Sequence, residues 1–159
     1  MLDSTRTALA LAFLLAMPTL AACGSGGSSG PDATDYSYDC TQETRSDTYV
    51  AGLEKDGTQI KVQLTSDPAP PQKGDNQWTI MVTDTSDTPM DNLTIDSTPF
   101  MPDHGHGTAT QETVTAGTQA GEYVLDPINL WMPGYWEVTI NFAGTSIDDK
   151  VVYKICIDG

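Results

Sequence analysis

The chain has 159 residues, and 7 Lys and Arg stand against 22 Asp and Glu, for a formal charge of −15. This length suits one domain, and so acidic a chain excludes nucleic-acid binding, which needs cations to displace phosphate counterions. With 14 Gly and 10 Pro a helical bundle is excluded, while 38% apolar residues in a regular pattern argue against wholesale disorder.

Residues 1–22 read as an export signal. Arg6 precedes an apolar run, Ala8 to Ala22, that is short for a bilayer span. The run ends in Leu20-Ala21-Ala22-Cys23. This resembles the lipobox of bacterial lipoproteins, where cleavage falls before the cysteine and its thiol is acylated. Asp3 leaves the leading segment nearly neutral, so the true start codon stays open. Cleavage removes one Arg and one Asp and leaves the charge at −15. Anionic headgroups would repel such a domain, so a lipid on Cys23, palmitate included, is the expected membrane tie. Residues 23–39 are the lipidated cysteine and a tether opened by the flexible run Gly24 to Gly30. The expected location is the cell envelope. Gly24 rather than Asp after the cysteine favours the outer membrane, facing the periplasm, in a cell with two membranes.

Residues 40–159 are the expected folded domain. Cys40 and Cys156 are an even pair in an exported chain, which reads as one disulfide between the start of the domain and its last strand. Two free thiols or a soft-metal pair are the alternatives. Period-2 patterning predicts a strand near Tyr49–Leu53, joined through Asp56-Gly57 to a strand near Ile60–Thr65. Asp67 to Asn76 carries Pro68, Pro70, Pro71 and Gly74 and reads as a loop. Trp78, Ile80 and Val82 alternate with polar neighbours, as do Trp136, Val138, Ile140 and Phe142. Val151, Tyr153, Ile155 and Ile157 form a last strand, on which Cys156 points away from the apolar face. Thr88-Pro89 and Pro133-Gly134 are turns, and Gly121-Glu122-Tyr123 reads as a corner whose Tyr hydroxyl bonds back to the backbone. The expectation is an all-β fold: an immunoglobulin-like or cupredoxin-like β-sandwich of about seven or eight strands with no helix.

One segment offers chemistry. Met101-Pro102-Asp103-His104-Gly105-His106-Gly107 contains the 2 histidines of the chain. A His-x-His pair in a loop hinged by glycine can turn two imidazoles toward one ion. Met101 adds a thioether, and Met132 adds another if its turn meets this loop. Imidazole with thioether suits copper, Cu(I) above all. Asp103 as a ligand would instead suit Cu(II) or zinc, or it could orient an imidazole. Trp131 could shield such a site. The bland alternative is a solvated turn with Met101 and Met132 as core filler. No cysteine is available for a blue-copper centre. Asp84, Asp87, Asp91 and Asp96 lack EF-hand spacing and read as a solvated rim. With no assembled nucleophile and base, an enzyme is not expected.

From Trp78 to Phe142 the chain resembles the YtkA-like domain, also met under the FixH-like label, of small exported or membrane-anchored β proteins. The resemblance rests on the strand Trp78–Thr83, the turn Thr88-Pro89-Met90, Phe100-Met101-Pro102, the His-Gly-His-Gly loop, Gly121-x-Tyr123 and Met132-Pro133-Gly134-x-Trp136. It implies a β-sandwich and metal handling at Met101, His104, His106 and Met132. The functional expectation is a lipid-anchored, non-enzymatic envelope domain that binds or hands over a copper ion. The alternative is a metal-free structural or protein-interaction domain with an envelope protein as partner.

Overall fold

A computed structural model describes residues 37–159. The leader, Cys23 and the Gly/Ser part of the tether lie outside the described residues. Two antiparallel sheets pack face to face, as the alternating apolar pattern requires. The first has five strands in the order β1 (Leu53–Asp56), β2 (Ile60–Asp67), β3 (Gly74–Asp84), β7 (Glu122–Leu130) and β6 (Thr113–Ala116). The second has four, in the order β5 (His106–Gly107), β4 (Thr94–Met101), β8 (Gly134–Ala143) and β9 (Asp148–Ile157). The all-β sandwich is as expected, with nine strands among the described residues where seven or eight were expected; period-2 patterning marks β2, β3, β8 and β9 and a strand near β1, but not β4 to β7.

The core lies between the sheets. Ile60, Val62 and Leu64 of β2 and Trp78, Ile80 and Val82 of β3 face Trp136, Val138, Ile140 and Phe142 of β8. Tyr153 of β9 ties the layers together. Its ring meets Trp78 edge-on at 5.8 Å, and its hydroxyl donates to the Val62 carbonyl at 2.8 Å. Burial of that hydroxyl pushes its pKa up, with Asp47 and Glu54 adding to the shift.

Several boundaries move for local reasons. The first strand opens at Leu53 rather than Tyr49, because Val50 to Gly52 form a turn in which Leu53 N–H donates to the Val50 carbonyl. Tyr49 instead turns its hydroxyl to the Ser66 N–H. The proline-rich loop is shorter than expected, since β3 starts at Gly74. Asn76, 1% exposed, holds that loop by accepting from Gln72 N–H and donating to the Gln72, Gly74 and Ile128 carbonyls. Pro127 sits inside β7, where it has no N–H to give. It falls where β3 shifts register between Asn76 and Trp78 and beyond the last residue of β7 paired with β6.

The corner at Tyr123 forms as the sequence suggests. The Tyr123 hydroxyl donates to the Met90 carbonyl at 2.9 Å and accepts from Leu93 N–H at 3.1 Å. Gly121 before it has φ +76°, and a Cβ there would stand 2.5 Å from the Val82 carbonyl oxygen. Only glycine fits so close a backbone approach.

A segment preceding β1 straps the outer side of the second sheet. Tyr38 and Gly159 exchange backbone hydrogen bonds, and Cys40–Gln42 form a short 3-10 helix capped by Asp39. Cys40 is joined to Cys156, which leans outward from edge strand β9. Asp47 N–H donates to the Lys154 carbonyl, and its carboxylate accepts from Lys154 N–H. Tyr38 and Asp39 fall in the expected tether, yet both are fastened to the domain. No helix among the described residues is long and apolar enough to cross a membrane.

Candidate functional site

The histidine loop is the turn between β4 and β5. Pro102 breaks the strand after Met101, and the N–H groups of His104 and Gly105 both donate to the Met101 carbonyl, at 3.1 and 2.9 Å. Gly105 supplies the left-handed φ of +69° that closes the turn. The chain then re-enters the sheet with His106 opposite Met101. Residues opposite each other in an antiparallel pair project from the same face. The hairpin thus presents Met101 and His106 as cross-strand neighbours.

The two imidazoles meet edge-on with ring centroids 5.5 Å apart. An imidazole nitrogen sits about 2 Å from a bound metal and the ring centre about 1 Å further, so two imidazoles on one ion keep centres roughly 5–6 Å apart. The observed spacing lies in that range. Trp131, 45% exposed, stacks on His106 with centroids 5.4 Å apart and planes 23° apart. Its indole N–H reaches the Gly107 carbonyl at 3.4 Å. The turn carrying Trp131 and Met132 therefore does meet the histidine loop.

The two thioethers differ. Met101 is fully buried in the core, with its terminal methyl over Gly134, where a Cβ would stand 2.5 Å away. Met132 is partly buried and packs against the core, and its carbonyl accepts from the Trp136 indole. Both residues serve packing.

Asp103 is engaged elsewhere. Arg45 of the strap donates to both of its carboxylate oxygens, at 2.8 and 2.6 Å, and this hydrogen bonding holds the carboxyl below the usual carboxylate range. Arg45 also donates to both oxygens of Glu43 and lies over the Tyr135 ring, 4.1 Å from its centroid. Arg45 first, then the Tyr38 hydroxyl, pull the Glu43 pKa down to about 2. Burial pushes Tyr135 up, and so does the hydrogen bond it donates to Glu137. Sequence reasoning misses Arg45 altogether. Its one signal is rarity, since the only other arginine is Arg6.

Among the described residues no group of three or more His, Cys, Asp or Glu could hold a metal ion. A site here would be two imidazoles completed by thioether, a donor set for a soft ion rather than for tetrahedral zinc. The crowded aspartates do not converge either. Asp84 caps the N–H groups of Ser86 and Thr88, Asp87 pairs with Lys61, Asp91 accepts from Gly121 N–H, and Asp96 accepts from Asn141.

Comparison with known proteins adds the family. The YtkA-like family model matches residues 54–141, opening in β1 rather than at Trp78 and leaving Cys40 and the strap outside. No curated protein and no solved structure gives a significant match. The matched region contains the histidine hairpin, the Tyr123 corner and the turn at Trp131, and the chain belongs to the YtkA-like family.

Proposed function

We propose that this is a lipid-anchored envelope domain that binds a copper ion, as Cu(I), at the β4–β5 turn and passes it on without chemical turnover. The observation that carries the reading is the pair of imidazoles at 5.5 Å on a glycine-hinged turn. His104 and His106 are the main ligands. The thioethers that would complete the set are Met101, cross-strand from His106, and Met132, next in sequence to Trp131, and each would have to give up part of its core packing to reach the ion. Asp103 is not part of the set, because Arg45 occupies both its oxygens. Neutral nitrogen and sulfur donors add no negative charge, which suits a monovalent soft cation. An ion at the rim of the sandwich, beside the half-exposed Trp131, is open to a partner that delivers or removes it.

The leader, the Cys23 lipid and the tether are part of the proposal: they would hold the domain at the envelope membrane, free to reach an envelope partner. The test is loading. The chain carrying Cys23→Ser, which removes a competing thiol, is mixed with excess Cu(I) without oxygen, gel-filtered and assayed for copper. One ion per chain should survive, and a His104→Ala/His106→Ala variant should retain none. Several weakly held ions, equal in both proteins, would instead be adsorption on the acidic surface.

A second reading is a metal-free domain that binds an envelope protein. It is favoured by the full burial of Met101, together with the exposure of Phe100 (40%) on β4 and of Trp131. Crosslinking that captures a partner equally with and without the two histidines would support it.

A further inference from the structure

We propose that Arg45 is a positioning residue for the imidazole pair: from the strap it grips Asp103 and so sets the β4–β5 turn that carries His104 and His106. This rests on the copper reading above.

Within the β4–β5 turn the two internal hydrogen bonds share one acceptor, the Met101 carbonyl, and β5 is only two residues long, while the Trp131 ring and indole N–H hold the far side at His106 and Gly107. Asp103 sits between Pro102 and His104, so the carboxylate that Arg45 holds is one residue from a ligand. The guanidinium is itself well placed. Glu43, whose side chain is 4% exposed, takes two of its N–H groups, and Tyr38 donates to the same carboxylate at 2.6 Å. The face of the guanidinium lies on Tyr135 of β8. On one side of Arg45 the strap is bonded through Cys40 to Cys156, and on the other it is hydrogen-bonded through Asp47 to Lys154. Arg45 is thus a fixed post rather than a waving surface chain.

An exposed ion pair by itself adds little stability. What a two-pronged guanidinium–carboxylate contact adds is direction, since the planar fork admits few relative orientations. Lysine offers a point charge and no fork. Arg45 therefore acts on geometry more than on folding, and its removal should weaken metal binding while the sandwich stays intact.

The test uses the full chain in a Cys23→Ser background, so that no free thiol competes for metal. Cu(I) affinity is measured for the parent, Arg45→Ala, Arg45→Lys, Asp103→Ala and the Arg45→Ala/Asp103→Ala pair. Each single alanine variant should lose about tenfold in affinity, the size seen when groups that orient metal ligands are removed. The double variant should lose no more than either single one, because both break the same contact. Lysine should not rescue. In the metal-free protein, the imidazole NMR signals of His106, shifted by the Trp131 ring, should move in Arg45→Ala and Asp103→Ala alike. Parent affinity in the two alanine variants, or losses that add in the double, would overturn the proposal. If the parent binds no Cu(I), the copper reading fails on its own. The imidazole signals then decide on Arg45: movement in both variants upholds the positioning role, and unmoved signals overturn it.

Discussion

Cutting the bond between Cys40 and Cys156 should cost the domain several kcal/mol, almost all of it through the unfolded chain. The cysteines are 116 residues apart, so the bond closes nearly the whole domain into one loop. In the chain-entropy treatment, a loop of that length is worth about 5 kcal/mol at 25 °C. The folded state gives up little when the bond is cut. Tyr38 stays paired with Gly159, Asp47 with Lys154, and Arg45 with Asp103. A Cys40→Ser/Cys156→Ser variant should therefore fold to the same structure. Urea denaturation, followed by tryptophan fluorescence, should show a loss of about 3–5 kcal/mol. The slope against urea should rise, because an unlinked unfolded chain exposes more surface. A loss under about 1 kcal/mol with an unchanged slope would mean instead that the unfolded ensemble never felt the loop.

Other perturbations read other parts of the fold. Tyr123→Phe leaves the Met90 carbonyl and Leu93 N–H without their buried partner, and thermal and urea unfolding should show a loss of about 1–3 kcal/mol. Gly121→Ala should cost more than about 2 kcal/mol, because a Cβ meets the Val82 carbonyl at a positive φ; a near-neutral result would contradict the corner geometry. Asp149 is pushed up by burial, but the N–H groups of Gln59, Thr58 and Lys150 outweigh this and hold it below the usual aspartate value. A lowered folded pKa stabilises above the unfolded value of about 3.9, and that gain is lost as pH falls through the folded one. Wild type should thus exceed Asp149→Asn in stability at neutral pH, with the gap closing in acid; a gap constant with pH would contradict the assignment.

The sandwich was legible because its main strands bury one face each. Trp136, Val138, Ile140 and Phe142 can alternate with Glu137, Thr139 and Asn141 only on a half-buried strand, and all four are core. The reversals near Asp56-Gly57, Thr88-Pro89 and Pro133-Gly134 were legible from turn-forming residues, although the first spans Gly57 to Ile60 and the second lies at Asp84 to Asp87, where Asp87 takes φ +63° and Pro89 already pairs with Thr83. The disulfide pairing was legible because only Cys40 and Cys156 follow the Gly/Ser run at residues 24–30. Strand β6 was not, because Thr113 to Ala116 bring only Val114 toward the core, and an edge strand needs little more. Tyr49 misled for a different reason: it is a good strand former used here for its hydroxyl. The histidine pair was legible as a motif. Its closeness to Trp131 needed the fold, since Trp131 lies on the crossing from β7 in one sheet to β8 in the other. The grip of Arg45 on Asp103 left no sequence pattern, because a lone arginine 58 residues away says nothing about its partner.

The central claim is that His104 and His106 form one specific soft-metal site, and an anaerobic Cu(I) competition titration tests it most directly. A chromophoric chelator would compete with the full chain carrying Cys23→Ser, beside the same chain with His104→Ala/His106→Ala. The first protein should strip one equivalent of copper from the chelator and the second none. Equal curves for the two proteins would contradict the claim and leave the histidine hairpin as a turn in a domain that works through protein contacts.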